Sequence, residues 1–171
     1  ADAVIQDKAV KVGILSGNQS QLGMRQRLKS VKDNLAEAGI EISWILSEKE
    51  LDKKMRNVEY FTENPVDAVI SLENDDTEKA VDIILNHDSI SWKLYGEGRS
   101  EKLIYYLDKG TIQELAVPNE YYMGYQSIVL AAQNIRYYTD KTERADVEFY
   151  MVSRDDLYAE ETSRILFPTV R

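Results

Sequence analysis

KVGILSGNQSQLGMRQRLKSVKDNLAEAGI, from Lys11 to Ile40, decides the fold class. Val12 to Leu15 is a short unbroken apolar run, the mark of a parallel strand covered on both faces. Ser16 to Ser20 is polar. Beyond it Leu28, Val31, Leu35 and Ala38 recur at helical spacing, and Gly39 stands where a left-handed cap ends a helix. Strand, loop and helix in that order make the first half of a βαβ unit. The loop is the place of interest, because open α/β sheets bind ligands beyond the carboxyl ends of their strands. Arg25 and Arg27 fall in the first turns of the helix, where the macrodipole disfavours cations. They are either solvated surface residues or are used at the loop.

Working outward, residues 40–46 alternate Ile40, Ile42 and Trp44 against Glu41 and Ser43, a strand pattern. Ser47 and Glu50 form an S-x-x-E capping box, opening a helix that turns Leu51, Met55 and Val58 inward. Pro65 bars its continuation, and Val66 to Leu72 reads as the third strand. Glu73-Asn74-Asp75-Asp76 then places acids at the start of a helix carrying Ala80, Val81 and Ile84. Ser91 to Tyr95 is a fourth strand with a turn at Gly96-Glu97-Gly98, and Ser100 caps a short helix closed by Gly110. Thr111 to Val117 is a fifth strand. This order predicts a doubly wound parallel sheet flanked by helices. After Pro118 the pattern changes to one long helix over 119–138, with Met123, Ile128, Val129, Ala132 and Ile135 as its apolar contacts. A charged loop (139–144) and a sixth strand follow, the strand turning Val147, Phe149 and Met151 to one side. Residues 154–171 lack periodicity and read as an irregular tail packed by Leu157, Ile165, Leu166 and Phe167.

Composition narrows the function. A formal charge of −9 repels phosphate backbones, which argues against nucleic-acid binding. Without cysteine there is no disulfide or thiolate chemistry, and with one histidine besides, a zinc site is not expected. No run reaches the roughly 18 apolar residues of a membrane span. The opening ADAVIQDKAV has no initiator methionine and reads as the end of a helix, so a piece of a longer chain is expected.

The catalytic motifs fare no better. Gly96-Glu97-Gly98-Arg99-Ser100 begins like a dinucleotide fingerprint but lacks the third glycine and follows the wrong strand. A phosphoacceptor site needs acids after the first strand, where Ser16-Gly17-Asn18 stands instead. The acids at 73–76 could hold magnesium, but they also serve as helix-capping residues, the plainer reading. His87, at a helix end, has no evident serine partner. No catalytic residue, cofactor or metal is expected. If the strand order is 2-1-3-4-5, a crevice opens between strands 1 and 3. Asn18 and Gln19 then face Asn74 and Asp75, with Arg27 behind. Amides, a carboxylate and a guanidinium suit a neutral, hydroxyl-rich ligand.

The series KVGILSGNQSQLGMRQRLKSVKDNLAEAGI, NPVDAVISLEND and LYGEGRSEKLIYYLDKGTIQELAVPNEYYMGYQSI resembles type I periplasmic sugar-binding proteins, whose fold the lac-repressor-like regulators share. The likeness covers nearly the whole chain and matches that family's second lobe. It implies that 1–117 and 145–171 form an α/β ligand-binding lobe, while 118–144 belongs to a missing partner lobe. By the same resemblance Arg27 matches an arginine that grips sugar hydroxyls, Asn74 an asparagine after the third strand, and Asn18 a first-loop contact. Gly98, or its neighbours Glu97 and Arg99, stands where the family carries an aspartate. The implied function is an extracytoplasmic solute-binding protein delivering a carbohydrate to an ABC transporter permease. The alternative is the effector core of a cytoplasmic transcription regulator. The unpartnered 119–138 helix implies a possible homodimer.

Overall fold

The computed structural model describes residues 1–137 and 148–167. The charged loop at 139–144, Tyr138, Val147 and the last four residues lie outside the described residues.

A short helix α1 (Asp2–Gln6) leads into β1 (Lys11–Leu15), α2 (Leu22–Glu37) and β2 (Glu41–Leu46). Then come α3 (Glu48–Lys54), α4 (Glu59–Glu63), β3 (Ala68–Ser71), α5 (Asn74–Asn86), β4 (Lys93–Glu97), α6 (Glu101–Asp108) and β5 (Ile112–Pro118). The chain continues with α7 (Glu120–Tyr137), β6 (Phe149–Ser153) and α8 (Glu160–Leu166). Among the described residues the strands form one sheet in the order β2-β1-β3-β4-β5-β6. The first five are parallel, and β6 runs antiparallel to β5, with Val152 opposite Leu115.

Strand composition follows position. β3, in the middle, is buried at every residue, whereas the edge strand β2 alternates. One face packs Val12, Ile14, Ala68 and Ile70 against α1 and α2 through Val4, Met24 and Leu35. The other face packs Leu15, Val69 and Leu94 under α3 to α6, through Leu51, Phe61, Val81 and Leu103. There Trp44, Phe61 and Trp92 form an aromatic triangle with ring centroids 5.0 to 5.9 Å apart, and the Trp44 indole donates to the Asn64 carbonyl at 3.1 Å.

From β1 the chain moves through α2 to β2, and from β3 through α5 to β4, in the opposite direction. Right-handed crossovers then place α2 and α5 on opposite faces. This leaves the carboxyl ends of β1 and β3 side by side beneath a crevice.

Several sequence expectations need correction. The helix after Ser47 is two short helices, broken between Lys54 and Glu59. β4 starts and ends two residues later than expected, so Gly96 and Glu97 belong to the strand and not to a turn. The reason is packing: a Cβ at Gly96 would lie 2.2 Å from Thr77 Cγ2, so the strand lies close against α5. The tail is not wholly irregular, because α8 forms and buries Thr162 and Leu166. Leu157 is fully buried as expected, but Phe167 is exposed. Met123, Ile128 and Ile135 of α7 are exposed too, as are Phe149 and Met151. No helix among the described residues is long and apolar enough to cross a membrane.

Candidate functional site

The β1–α2 loop is tied to β2 first. The Ser16 N–H and hydroxyl both donate to the Leu46 carbonyl, at 2.8 and 3.2 Å. Glu48 N–H then donates to the Gly17 carbonyl at 3.3 Å. Gly17 adopts φ +65°, a conformation that favours glycine, and a Cβ there would sit 2.5 Å from Glu73 Oε2. That same oxygen accepts the Asn18 backbone N–H at 3.0 Å.

The loop's side chains are largely committed to the loop itself. Asn18 Oδ1 accepts from the Ser20 N–H at 3.0 Å and the Ser20 hydroxyl at 2.7 Å. The Gln19 amide donates to the Ser16 carbonyl. Arg25 donates to the carbonyls of Gln19 and Ser20, at 3.0 and 2.9 Å. Those loop carbonyls explain an arginine near a helix N-terminus, where the dipole alone would disfavour it.

Across the crevice, Asn74 begins α5. Its amide donates to Asp75 Oδ1 at 3.2 Å and to Glu78 Oε1 at 3.3 Å, and its carbonyl oxygen accepts the Arg99 N–H at 3.3 Å. Asp75 is exposed. Gly98 lies at φ +136° with Asn74 packed on it, so that a Cβ would fall 2.3 Å from Asn74 Oδ1. Buried Thr77 holds the rim from beneath. Its hydroxyl lies 2.8 Å from the Glu73 carbonyl, 2.9 Å from the Glu97 carbonyl and 3.0 Å from Ser71 Oγ.

Arg27 reaches the rim from the second turn of α2. It donates to the Leu72 carbonyl at 3.2 Å and pairs with the Glu97 carboxylate. Burial pushes the Glu97 carboxyl up; the Arg27 hydrogen bond and charge oppose this, and the Glu73 charge reinforces it. Deeper, the side chain of Asp76 is fully buried, and neither of its oxygens has a hydrogen-bond partner. Lys79 Nζ lies 3.6 Å away. Burial pushes the Asp76 carboxyl up to about 6, against the pull of Lys79 and with help from Glu73.

The structure thus places Asn18, Arg27, Asn74 and Gly98 along one rim, linked in pairs by Glu73 and Glu97, which the sequence offered in other roles, and by Thr77, which it did not single out. Glu73 joins Asn18 to the β3–α5 turn, Glu97 joins Arg27 to the end of β4, and Thr77 joins the backbones of Glu73 and Glu97. Gln19 and Asp75 sit on the same loops but bond locally. The outcome is a fixed array of donors and acceptors, suited to orienting hydroxyl groups.

A periplasmic binding protein domain model matches residues 2–138. A carbohydrate transporter solute-binding protein from Agrobacterium radiobacter, in complex with D-arabinose, is 18% identical with a TM-score of 0.82. The match covers 96% of this chain and 59% of that one. The Caulobacter myo-inositol binding protein bound to myo-inositol is 16% identical with a TM-score of 0.80, over 96% of this chain and 58% of that one. A putative LacI transcriptional regulator from Bacteroides fragilis is 14% identical with a TM-score of 0.73, over 90% of this chain and 56% of that one. At such identities the likeness is one of fold, and the chain spans somewhat under three fifths of each of these proteins. No curated protein sequence matches the chain.

Proposed function

This chain belongs to the periplasmic binding protein domain family, and we propose on that footing that it is the second, ligand-binding lobe of an extracytoplasmic solute-binding protein. Its ligand is a sugar or a similar small hydroxyl-rich molecule, delivered to an ABC transporter permease. The observation that carries this reading is the rim between β1 and β3. There Asn18, Arg27, Asn74 and the backbone at Gly98 are held by Glu73, Thr77 and Glu97 in fixed directions. A rigid set of paired donors and acceptors recognises hydroxyls without having to be ordered at the moment of binding.

In this reading residues 1–117 and 145–171 make one lobe and 118–144 belongs to a second. The exposed apolar residues of α7 are then the surface that meets that lobe or a second copy of the chain. The site residues are Asn18, Gln19, Arg27, Asn74, Asp75 and Gly98, and their work is binding rather than catalysis. The likeness to a LacI regulator favours an effector-binding core as the second reading. Permease-dependent uptake that requires the protein separates transport from regulation.

Isothermal calorimetry with D-arabinose and myo-inositol tests the site. Arg27→Ala is expected to raise Kd about tenfold, the scale of one charge-assisted hydrogen bond. Its melting temperature should fall by only about 3 °C, because a half-exposed ion pair contributes little to stability. Unchanged affinity would remove Arg27 from the site.

A further inference from the structure

We infer that Glu73 is a positioning residue that latches the β1–α2 loop, and with it Asn18, to the rim of the crevice. The inference rests on the binding role proposed above for that rim and adds the group that keeps it in register. Two observations on one side chain carry it. Glu73 Oε2 accepts the Asn18 backbone N–H at 3.0 Å, across 55 residues of sequence. The Glu73 side chain also packs where a Cβ at position 17 would stand, 2.5 Å from the carboxylate oxygen and 3.2 Å from Glu73 Cβ. The loop residue under the latch is therefore a glycine with positive φ, and the carboxylate occupies the space it leaves.

The other ties of this loop run elsewhere. Ser16 and Gly17 bond to β2 and the start of α3, and Asn18, Gln19, Ser20 and Arg25 bond among themselves. Those contacts fix the loop's internal shape and its distance from β2. The Glu73 hydrogen bond fixes where it stands relative to Asn74, on the opposite bank. Glu73 is itself anchored, because its carbonyl oxygen lies 2.8 Å from the buried Thr77 hydroxyl. The acceptor is ionised and the donor is a backbone amide, so the bond belongs to the stronger, charge-assisted class. Loops without such a tie open locally at little cost, and a binder that must first order its loop loses affinity.

The test compares the whole chain with Glu73→Ala and Glu73→Gln by amide hydrogen exchange, and by calorimetry with D-arabinose and myo-inositol as probes. In Glu73→Ala the Asn18 amide should exchange at least about tenfold faster and Kd for a bound probe should rise about tenfold. Glu73→Gln keeps an acceptor oxygen in place and should recover most of both. Glu73→Asp is one methylene shorter and draws the acceptor oxygen back from the Asn18 N–H, so exchange at Asn18 should quicken in that variant as well. This arm decides the matter even where the alanine variant fails to fold. Unchanged exchange at Asn18 in both Glu73→Ala and Glu73→Asp overturns the latch. Faster exchange with unaltered affinity overturns its role in binding. If the wild type binds neither probe, the sugar reading fails for those ligands, while exchange at Asn18 still decides whether the latch exists.

Discussion

Gly98→Ala is expected to lower the melting temperature by about 10 °C and to abolish ligand binding. Position 98 has φ +136°, where an L side chain is strained by about 1–3 kcal/mol. The new methyl would also stand 2.3 Å from Asn74 Oδ1 and 2.6 Å from Leu103 Cδ1, and overpacking of this kind costs about 1–3 kcal/mol. Together these come to about 3 kcal/mol or more, and for a chain of this length each kcal/mol moves the midpoint by about 2–4 °C. Leu103 is a fully buried core residue and can yield little, so the displacement falls on Asn74. Thermal melts and calorimetry on one preparation measure both effects. Gly124→Ala is the control, since it lies within α7 with nothing within 4 Å of its would-be Cβ. It should melt no lower than the wild type. A Gly98→Ala variant with wild-type melting and affinity would refute the close packing of Asn74 on position 98.

The same glycine shows where the sequence could be read and where it could not. The unbroken apolar runs at Val12–Leu15 and Ala68–Ile70, and the Ser47–Glu50 box, state their structure locally, whereas the 2-1-3-4-5 order entered only as a condition and is observed with β6 added antiparallel beside β5. Gly96-Glu97-Gly98 also looks local, like a turn, but Gly96 is a strand residue because Thr77 of α5 packs against it. A preference for turns is easily outweighed by such a contact. Helix α8 has only seven residues and no full apolar stripe, so nothing in its own sequence announces it. The loops that border the crevice were legible, since they follow strand ends. Their cross-links were not: Asn18 meets Glu73 and Arg27 meets Glu97 across 55 and 70 residues, and no spacing rule reaches that far. Asp76 reads in the sequence as a helix-capping acid, but α5 has no side-chain cap at its N-terminus, and the Asp76 carboxyl is buried with neither oxygen hydrogen-bonded.

Asp76→Asn is expected to stabilise the chain at pH 7.5 by about 2–3 kcal/mol. Burial raises the folded-state carboxyl from 3.8 to about 6, and one pKa unit is worth about 1.4 kcal/mol. Well below pH 3.8 the group is neutral in both folded and unfolded chains. As pH rises to about 6 the folded chain holds its proton longer than the unfolded one, so stability falls through that window and the full loss is present above it. The groups facing Asp76 are Lys79, Glu73 and Glu48, with the Gly17 backbone giving a small downward pull. None of them hydrogen-bonds it with normal geometry. Asparagine is nearly isosteric with the protonated acid, so the difference between variant and wild type should shrink to about 0.5 kcal/mol near pH 4, vanish below about pH 3 and be widest above pH 6. Urea melts at several pH values read it directly. An Asp76→Asn chain less stable than the wild type at pH 7.5 would mean that the carboxylate is held by partners and not stranded.

The aromatic triangle has an optical consequence. The chain has two tryptophans, and both are in that cluster, Trp44 in β2 and Trp92 just before the amino end of β4. The crevice lies at the opposite, carboxyl ends of β1 and β3. Indole emission will therefore follow collapse and melting of the α3–α6 face and stay silent when the rim is filled. A fluorescence melt of any variant named above reports stability alone, which leaves heat of mixing as the independent measure of occupancy.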